Sequence, residues 1–201
     1  MTDATVWNLN ADEPDILDYD TSFKSDNQDD IFDGTSPFRS SDHDPVIIGL
    51  NLANPMGDKT AVAADLAALL PSGDGNTDRR LDSAIDSVNA SLHLDWWTSD
   101  QTITDAKVFD NERRAIAQLA LVVVGGGPEA GAAMDAIMVV LNADRQLAQI
   151  ELIAAMDRGG RASKIADAQA AMEDAAAYAA VGMYVDAVNA YKAAWRAATS
   201  A

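Results

Sequence analysis

Cysteine is absent from this chain, which excludes disulfides, thiolate metal sites and thiol nucleophiles. Aromatic residues are scarce at 6%, so each Trp, Tyr and Phe is expected to anchor packing where it occurs. Basic residues are also few: 14 Lys and Arg face 32 Asp and Glu, a formal charge of −18. A surface of this sign repels nucleic acid at long range, because duplex binding relies on cations that displace condensed counterions. It favours solubility and suits divalent cations or salty surroundings. No apolar run reaches the roughly 18 residues that a membrane helix needs. The nearest approach, Leu119–Val124, stops at Gly125-Gly126-Gly127. The first residues, MTDATVWNLNADEPD, have neither a basic segment nor an apolar one, so no signal peptide is expected.

The 201 residues leave room for one ordinary domain or two small ones. Hydrophobic residues make up 48%, but many are alanine, which buries little area. Composition changes near residue 50. Residues 1–50 hold twelve acidic residues against Lys24 and Arg39, are rich in Asp, Ser and Asn, and end in an apolar β-branched run from Pro45 to Leu52. That run reads as a buried strand, Ala4–Leu9 as a second strand, and Asp12–Phe38 as mostly loop. Two strands do not make a stable sheet, so this part is not expected to fold alone.

Helical signals dominate after Asn54. Asp58 can cap a helix carrying Val62, Leu66, Leu69 and Leu70, and Thr77 can cap one carrying Leu81, Ile85, Val88 and Leu92. A loop with Trp96-Trp97 follows. Asp110 opens a helix with Ile116, Leu119 and Val123, closed by the triple glycine. Pro128 begins a long segment through Met134, Ile137, Leu141 and Leu147, with a possible break near Leu141-Asn142. Two more helices span about 163–181 and the residues after Gly182, the last carrying Tyr184, Val188, Tyr191 and Trp195. The expected fold is mainly α: an antiparallel helical bundle of five or six helices over 55–201, preceded by a truncated α/β-sandwich fragment of one or two strands over 1–54. Gly182-x-Tyr184-x-x-Ala187-x-x-x-Tyr191-x-x-Ala194 resembles one helix of a tetratricopeptide unit, but its 34-residue period does not return.

One string carries chemistry. Ser41-Asp42-His43-Asp44-Pro45-Val46 sets an imidazole between two carboxylates where a buried strand begins. A flanking carboxylate raises the basicity of a histidine and fixes its tautomer, and carboxylates also hold divalent metals. Read by composition alone, the tripeptide is more often an acidic surface turn with an incidental histidine.

The neighbouring residues widen the match. With Val6-Trp7-Asn8-Leu9-Asn10-Ala11-Asp12-Glu13-Pro14, Leu17-Asp18-Tyr19, Phe23-Lys24 and Pro37-Phe38-Arg39-Ser40-Ser41, residues 4–52 resemble the end of the endonuclease/exonuclease/phosphatase superfamily, in its bacterial extracellular nuclease branch. The resemblance implies that His43 contacts the scissile phosphate and assists the attacking water. It implies that Asp42 lies at the metal site or supports its ligands, and that Arg39 contacts phosphate or pairs with nearby acids. The cofactor implied is Mg²⁺ or Mn²⁺, which offsets developing charge on phosphorus. DNA or RNA is the implied substrate, the parent enzymes are extracellular, and no membrane is involved. The earlier motifs of that family are missing. The chain is therefore expected to lack activity alone and to be a truncated reading frame, a pseudogene remnant or one piece of a split protein with an upstream nuclease portion.

Elsewhere the expectations are structural. Asp74-x-Asn76-x-Asp78 imitates a calcium loop but lacks its Gly and terminal Glu, so capping is expected; Asp26–Gly34 lacks the spacing too. His93 reads as a partly buried helix-end histidine, Gly125–Pro128 as a hinge, and Asp144-Arg145 and Asp157-Arg158 as helix-surface charges. Leu69-Leu70-Pro71-x-Gly73-Asp74, Ser91-Leu92, Trp97, Lys107-Val108-Phe109-Asp110 and Ala187-x-x-x-Tyr191-x-x-Ala194-Trp195 resemble a helical appendage of bacterial and archaeal extracellular proteins. That resemblance implies no catalysis. It leaves an alternative function, a non-catalytic interaction or spacer module carrying an inherited nuclease stub, with Trp97, Phe109, Tyr191 and Trp195 as core anchors or as an aromatic sugar- or peptide-binding groove.

Overall fold

A computed structural model describes residues 3–6, 46–49 and 53–201. The chain divides into two compact units, Met1–Leu52 and Ala53–Ala201. In the first, strand β1 (Asp3–Val6) pairs antiparallel with β2 (Val46–Gly49), Val6 opposite Val46 and Asp3 opposite Gly49. β2 falls inside the expected run from Pro45 to Leu52, and β1 overlaps the expected strand Ala4–Leu9 but starts one residue earlier, at Asp3. The three residues expected to carry chemistry, Arg39, Asp42 and His43, lie outside the described residues, as does Asp26–Gly34.

The described residues of the second unit hold six α-helices: α1 (Pro55–Ala67), α2 (Gly75–Ser91), α3 (Lys107–Gly125), α4 (Ala130–Asp157), α5 (Ala162–Ala180) and α6 (Tyr184–Thr199). The mainly helical bundle expected from periodicity is the architecture found. Local signals differ from expectation at the helix starts. The cap of α1 is Asn54, whose Oδ1 accepts the Gly57 N–H at 2.9 Å, with Pro55 preset for the first turn; Asp58 sits inside that turn. The cap of α2 is Asp74 rather than Thr77. Its Oδ2 accepts from the Thr77 N–H at 2.9 Å and the Thr77 hydroxyl at 2.8 Å. Asp110 lies in the first turn of α3, which begins three residues earlier at Lys107.

The long fourth segment is one helix of 28 residues, without a break at Leu141-Asn142. Ile137, Val140, Leu141, Ala143 and Leu147 keep its apolar face buried without interruption. Asn142 points outward and accepts from the Arg145 guanidinium at 2.9 Å, so its amide never competes with the backbone of the helix. Between α2 and α3, the expected loop contains a short 3₁₀ turn (Leu94–Trp96) and a hairpin of β3 (Trp97–Ser99) with β4 (Thr102–Ile103).

The core is built from α3 and α4, with Val108, Phe109, Ile116, Leu119, Ile137 and Val140 fully buried. Phe109 meets Trp195 of α6 with ring centroids 6.2 Å apart. Trp97, Tyr191 and Trp195 are buried as well, which places all four expected anchors in the core. Alanines 168, 175, 187, 194 and 198 are fully enclosed in the α5–α6 pair. Small side chains there let the two helices approach closely, giving area burial through contact rather than through bulk.

Candidate functional site

Three charged side chains interrupt the apolar stripes of three helices. Lys59 precedes Val62, Ala63 and Leu66 at 3-4-7 spacing on α1; Glu112 lies between Val108 and Ile116 on α3; Asp144 lies between Leu141 and Leu147 on α4. Helical phase therefore turns each one inward, and all three are completely buried. Lys59 Nζ stands 2.6 Å from Glu112 Oε1 and 3.2 Å from Asp144 Oδ1. The ring of Trp97 covers the same ammonium, its centroid 5.2 Å away. Trp97 is itself pinned, its indole N–H donating to the Ser91 carbonyl at 2.8 Å.

Asp144 corrects the sequence expectation, which placed it with Arg145 on the helix surface. Adjacent helical residues point about 100° apart. Arg145 accordingly faces solvent while Asp144 faces the core. Burial holds the Asp144 carboxyl well above the usual carboxylate range; the charge of Glu112 pushes it the same way, and Lys59 opposes both. The contacts are short, yet none of the five polar atoms of Lys59, Glu112 and Asp144 has a partner in hydrogen-bond geometry. One cation facing two acids in a dry site favours keeping one acid neutral, since an extra uncompensated charge is costly there.

Asp157 and Arg158 do lie on the surface, with Arg158 paired to Glu151 at 3.1 Å. His93 is more exposed than expected, at 58% of its side chain. It starts the 3₁₀ turn, accepts the Asp95 N–H at 3.4 Å and leans on the Trp96 ring, centroids 5.3 Å apart. The Asp74–Asp78 string is occupied by capping. Asp78 Oδ1 accepts from the Ser72 N–H and hydroxyl, at 2.8 and 2.6 Å, and Asn76 accepts from Arg79. Gly126, in the left-handed region at φ 68°, ends α3 with its N–H donating to the Val123 carbonyl.

Two of the surface hollows among the described residues are lined in part by charged side chains. One, about 310 Å³, is formed by Val62, Leu66, Leu69, Ala136 and Val139, with Asp65 and Asp135 also lining it. The other, about 520 Å³, lies along α6 with Lys164, Lys192 and Arg196, but Lys192 is paired with Asp110 at 2.5 Å and Lys164 with Asp167 at 3.0 Å. Among the described residues, no group of three or more His, Asp or Glu side chains is arranged to hold a metal ion, and no helix is long and apolar enough to cross a membrane. The densest ionisable chemistry in the described residues is thus the enclosed Lys59–Glu112–Asp144 cluster. No family model, curated protein or solved structure matches the chain.

Sequence reasoning missed this cluster although its signal was present. A charged residue in phase with an apolar stripe, on three separate helices, is the pattern that would have found it.

Proposed function

We propose that residues 1–52 are the closing part of a metal-dependent phosphodiesterase acting on nucleic acid outside the cell, and that residues 53–201 are a helical interaction or spacer module appended to it. The observation that carries the first half is the Ser41-Asp42-His43-Asp44-Pro45 string immediately preceding β2, together with the pairing of β2 to the strand at the chain start. A sheet end of that kind fixes the backbone beside which a catalytic imidazole must be held. In this reading His43 hydrogen-bonds the scissile phosphate and handles the proton of the attacking water, while Arg39 neutralises phosphate charge.

Mg²⁺ or Mn²⁺ would supply charge neutralisation at phosphorus in the complete enzyme. Among the residues that the resemblance assigns, the ion would have one carboxylate ligand. Asp42 offers one carboxylate, against the about six oxygen ligands that a hard divalent cation takes. No step through a metal is therefore assigned to this chain, and the proposed activity requires an upstream nuclease portion.

The second half rests on where the ionisable groups of the helical unit are spent. Its Lys59, Glu112 and Asp144 face one another in a closed core, while the hollow beside Asp65 and Asp135 offers apolar contact on the outside. The test is a longer chain translated from the in-frame sequence upstream of Met1. It is expected to cleave DNA with Mg²⁺ or Mn²⁺ and to lose that activity with His43→Ala. An in-frame extension that cleaves equally well with His43→Ala sinks the assignment of His43, and one without nuclease activity sinks the first half of the reading.

A further inference from the structure

We propose that Lys59 and Asp144 join in an intramolecular amide bond between α1 and α4, with Glu112 transferring the protons. This inference is independent of the nuclease reading. An amine, a carboxyl group and a second carboxyl in contact with the amine are the three groups that the condensation needs. Lys59 Nζ is 3.2 Å from Asp144 Oδ1, a contact distance from which the amine can reach the carboxyl carbon, and 2.6 Å from Glu112 Oε1.

Protonation decides whether these groups can react. Attack requires a neutral amine and a carboxyl that is not a carboxylate. Glu112 Oε1, 2.6 Å from Lys59 Nζ, stands where it can take the ammonium proton, and the site is closed to solvent. The Asp144 carboxyl is held toward its neutral form by burial and by Glu112. Trp97 closes the site on the side of the amine.

The step balances without an external reactant. Glu112 accepts a proton from the Lys59 ammonium, and the freed lone pair attacks Cγ of Asp144. The tetrahedral carbon then loses its hydroxyl, which leaves as water with the proton that Glu112 returns, while Glu112 takes the second proton from the new amide nitrogen and ends as a neutral acid. One N–C bond forms, one C–O bond breaks and no electrons change hands. The product also removes buried polar groups that lack a partner in hydrogen-bond geometry, since the Lys59 nitrogen and the Asp144 carboxyl become one neutral amide. In a chain without cysteine, such a bond ties together two helices distant in sequence, as a disulfide would elsewhere.

Intact-mass measurement of the folded full chain, run under denaturing conditions, tests the bond directly. The expected mass is lower than the sequence mass by one water, and digestion should yield a linked peptide pair containing residues 59 and 144. A chain held in urea from synthesis should keep the full mass and lose water only after refolding, at a rate independent of protein concentration. Glu112→Gln preserves side-chain size and is expected to restore the full mass while its circular dichroism stays helical. Full mass in the folded wild-type chain overturns the bond. So does water loss confined to a single peptide at Asp33-Gly34 or Asp74-Gly75, where an aspartyl-glycine can dehydrate on its own. Linkage in Glu112→Gln at the wild-type rate overturns the role of Glu112. Should that variant not fold, the refolding time course of the wild-type chain still decides the bond.

Discussion

The ammonium of Lys59 on α1 touches the carboxylate of Glu112 on α3 at 2.6 Å, and neither side chain reaches solvent. Contacts of this kind contribute little net stability, because removing two charges from water costs about as much as their attraction returns. They restrict arrangement instead. An α1 rotated by one residue would carry Lys59 away from both Glu112 and Asp144, leaving three buried charges without partners. The cluster thus penalises alternative helix packings of an alanine-rich sequence whose small side chains discriminate poorly between registers.

Lys59→Met should expose that penalty. The substitution keeps an unbranched side chain in the core but leaves Glu112 and Asp144 facing each other without a cation, at a cost of about 3–5 kcal/mol near pH 8. Because the variant also lacks the amine, both acids remain free to titrate. A carboxyl held above its unfolded value contributes stability that is fully present below that value, 3.8 for Asp144, and lost as pH rises through the raised one. Urea unfolding of Lys59→Met should accordingly show stability declining from near pH 4 toward alkaline pH. Adding Asp144→Asn should flatten the decline; an unchanged slope would show that Asp144 is not its source.

Phe109→Ala and Trp195→Ala address the α3–α6 contact. Phe109 is fully buried and its ring meets Trp195 at 6.2 Å with the planes 49° apart. Each truncation is expected to cost about 3–5 kcal/mol through lost burial and the cavity left behind. The double variant should be less destabilised than the sum of the singles by about 0.5–1.5 kcal/mol, the worth of an aromatic pair. Strict additivity in the double-mutant cycle would show that the rings pack independently.

The helices and the aromatic anchors were legible because both follow from spacing. Apolar residues at 3-4 intervals place α2 and α6, and Trp97, Phe109, Tyr191 and Trp195 are buried where their bulk demands it. By residue type Asp144, beside Arg145, resembles one surface charge among many, and only its helical phase turns it inward. Lys59 and Glu112 were passed over altogether, since each is ordinary in its own helix and only the tertiary meeting makes the three a cluster. The β3–β4 hairpin escaped for a related reason. Strands of three and two residues have no periodicity to read, and the pairing that defines them lies across the turn. Arg39, Asp42 and His43 fall outside the described residues, so the motif that gave the clearest chemical signal is known from sequence alone.

Asp74 gives a second pH dependence of opposite sign. Its carboxylate lies below the usual value of 3.8, chiefly because it accepts the Thr77 N–H and then the Thr77 hydroxyl. A lowered folded value means that its contribution is complete above the unfolded value and disappears as pH falls below it. Asp74→Asn retains a capping oxygen without a titrating charge, so its stability should lose that part of the acid decline. Asp74→Ala should melt lower than wild type at neutral pH and converge on it at low pH. Equal melting temperatures for Asp74→Ala and wild type at pH 7 would show that the cap is inconsequential.

Gly126 tests the hinge between α3 and α4. Its φ of 68° falls in the left-handed region, and a Cβ added there meets nothing within 4 Å. Gly126→Ala should therefore cost only backbone strain, about 1 kcal/mol, and Gly126→Asn less, because asparagine tolerates that conformation. A loss well beyond this for alanine would mean that the left-handed turn is not the only thing the substitution disturbs.

The purified 201-residue chain should hydrolyse no DNA in Mg²⁺ or Mn²⁺, for two physical reasons. The resemblance assigns only Asp42 as a metal ligand in this chain, one carboxylate against the about six oxygen ligands that such an ion takes. The chain also carries −18 formally, so a duplex gains no counterion release from approaching it except where local cations such as Arg39 intervene. Plasmid nicking followed over hours, with His43→Ala as the control, measures this directly. Cleavage by the wild-type chain that His43→Ala abolishes would mean that the acidic stub can assemble a working site. Cleavage that survives His43→Ala would point to a contaminant. Absence of cleavage here, joined to restored activity in the in-frame extended chain, is the pair of results that the proposed division into a nuclease end and a helical module requires.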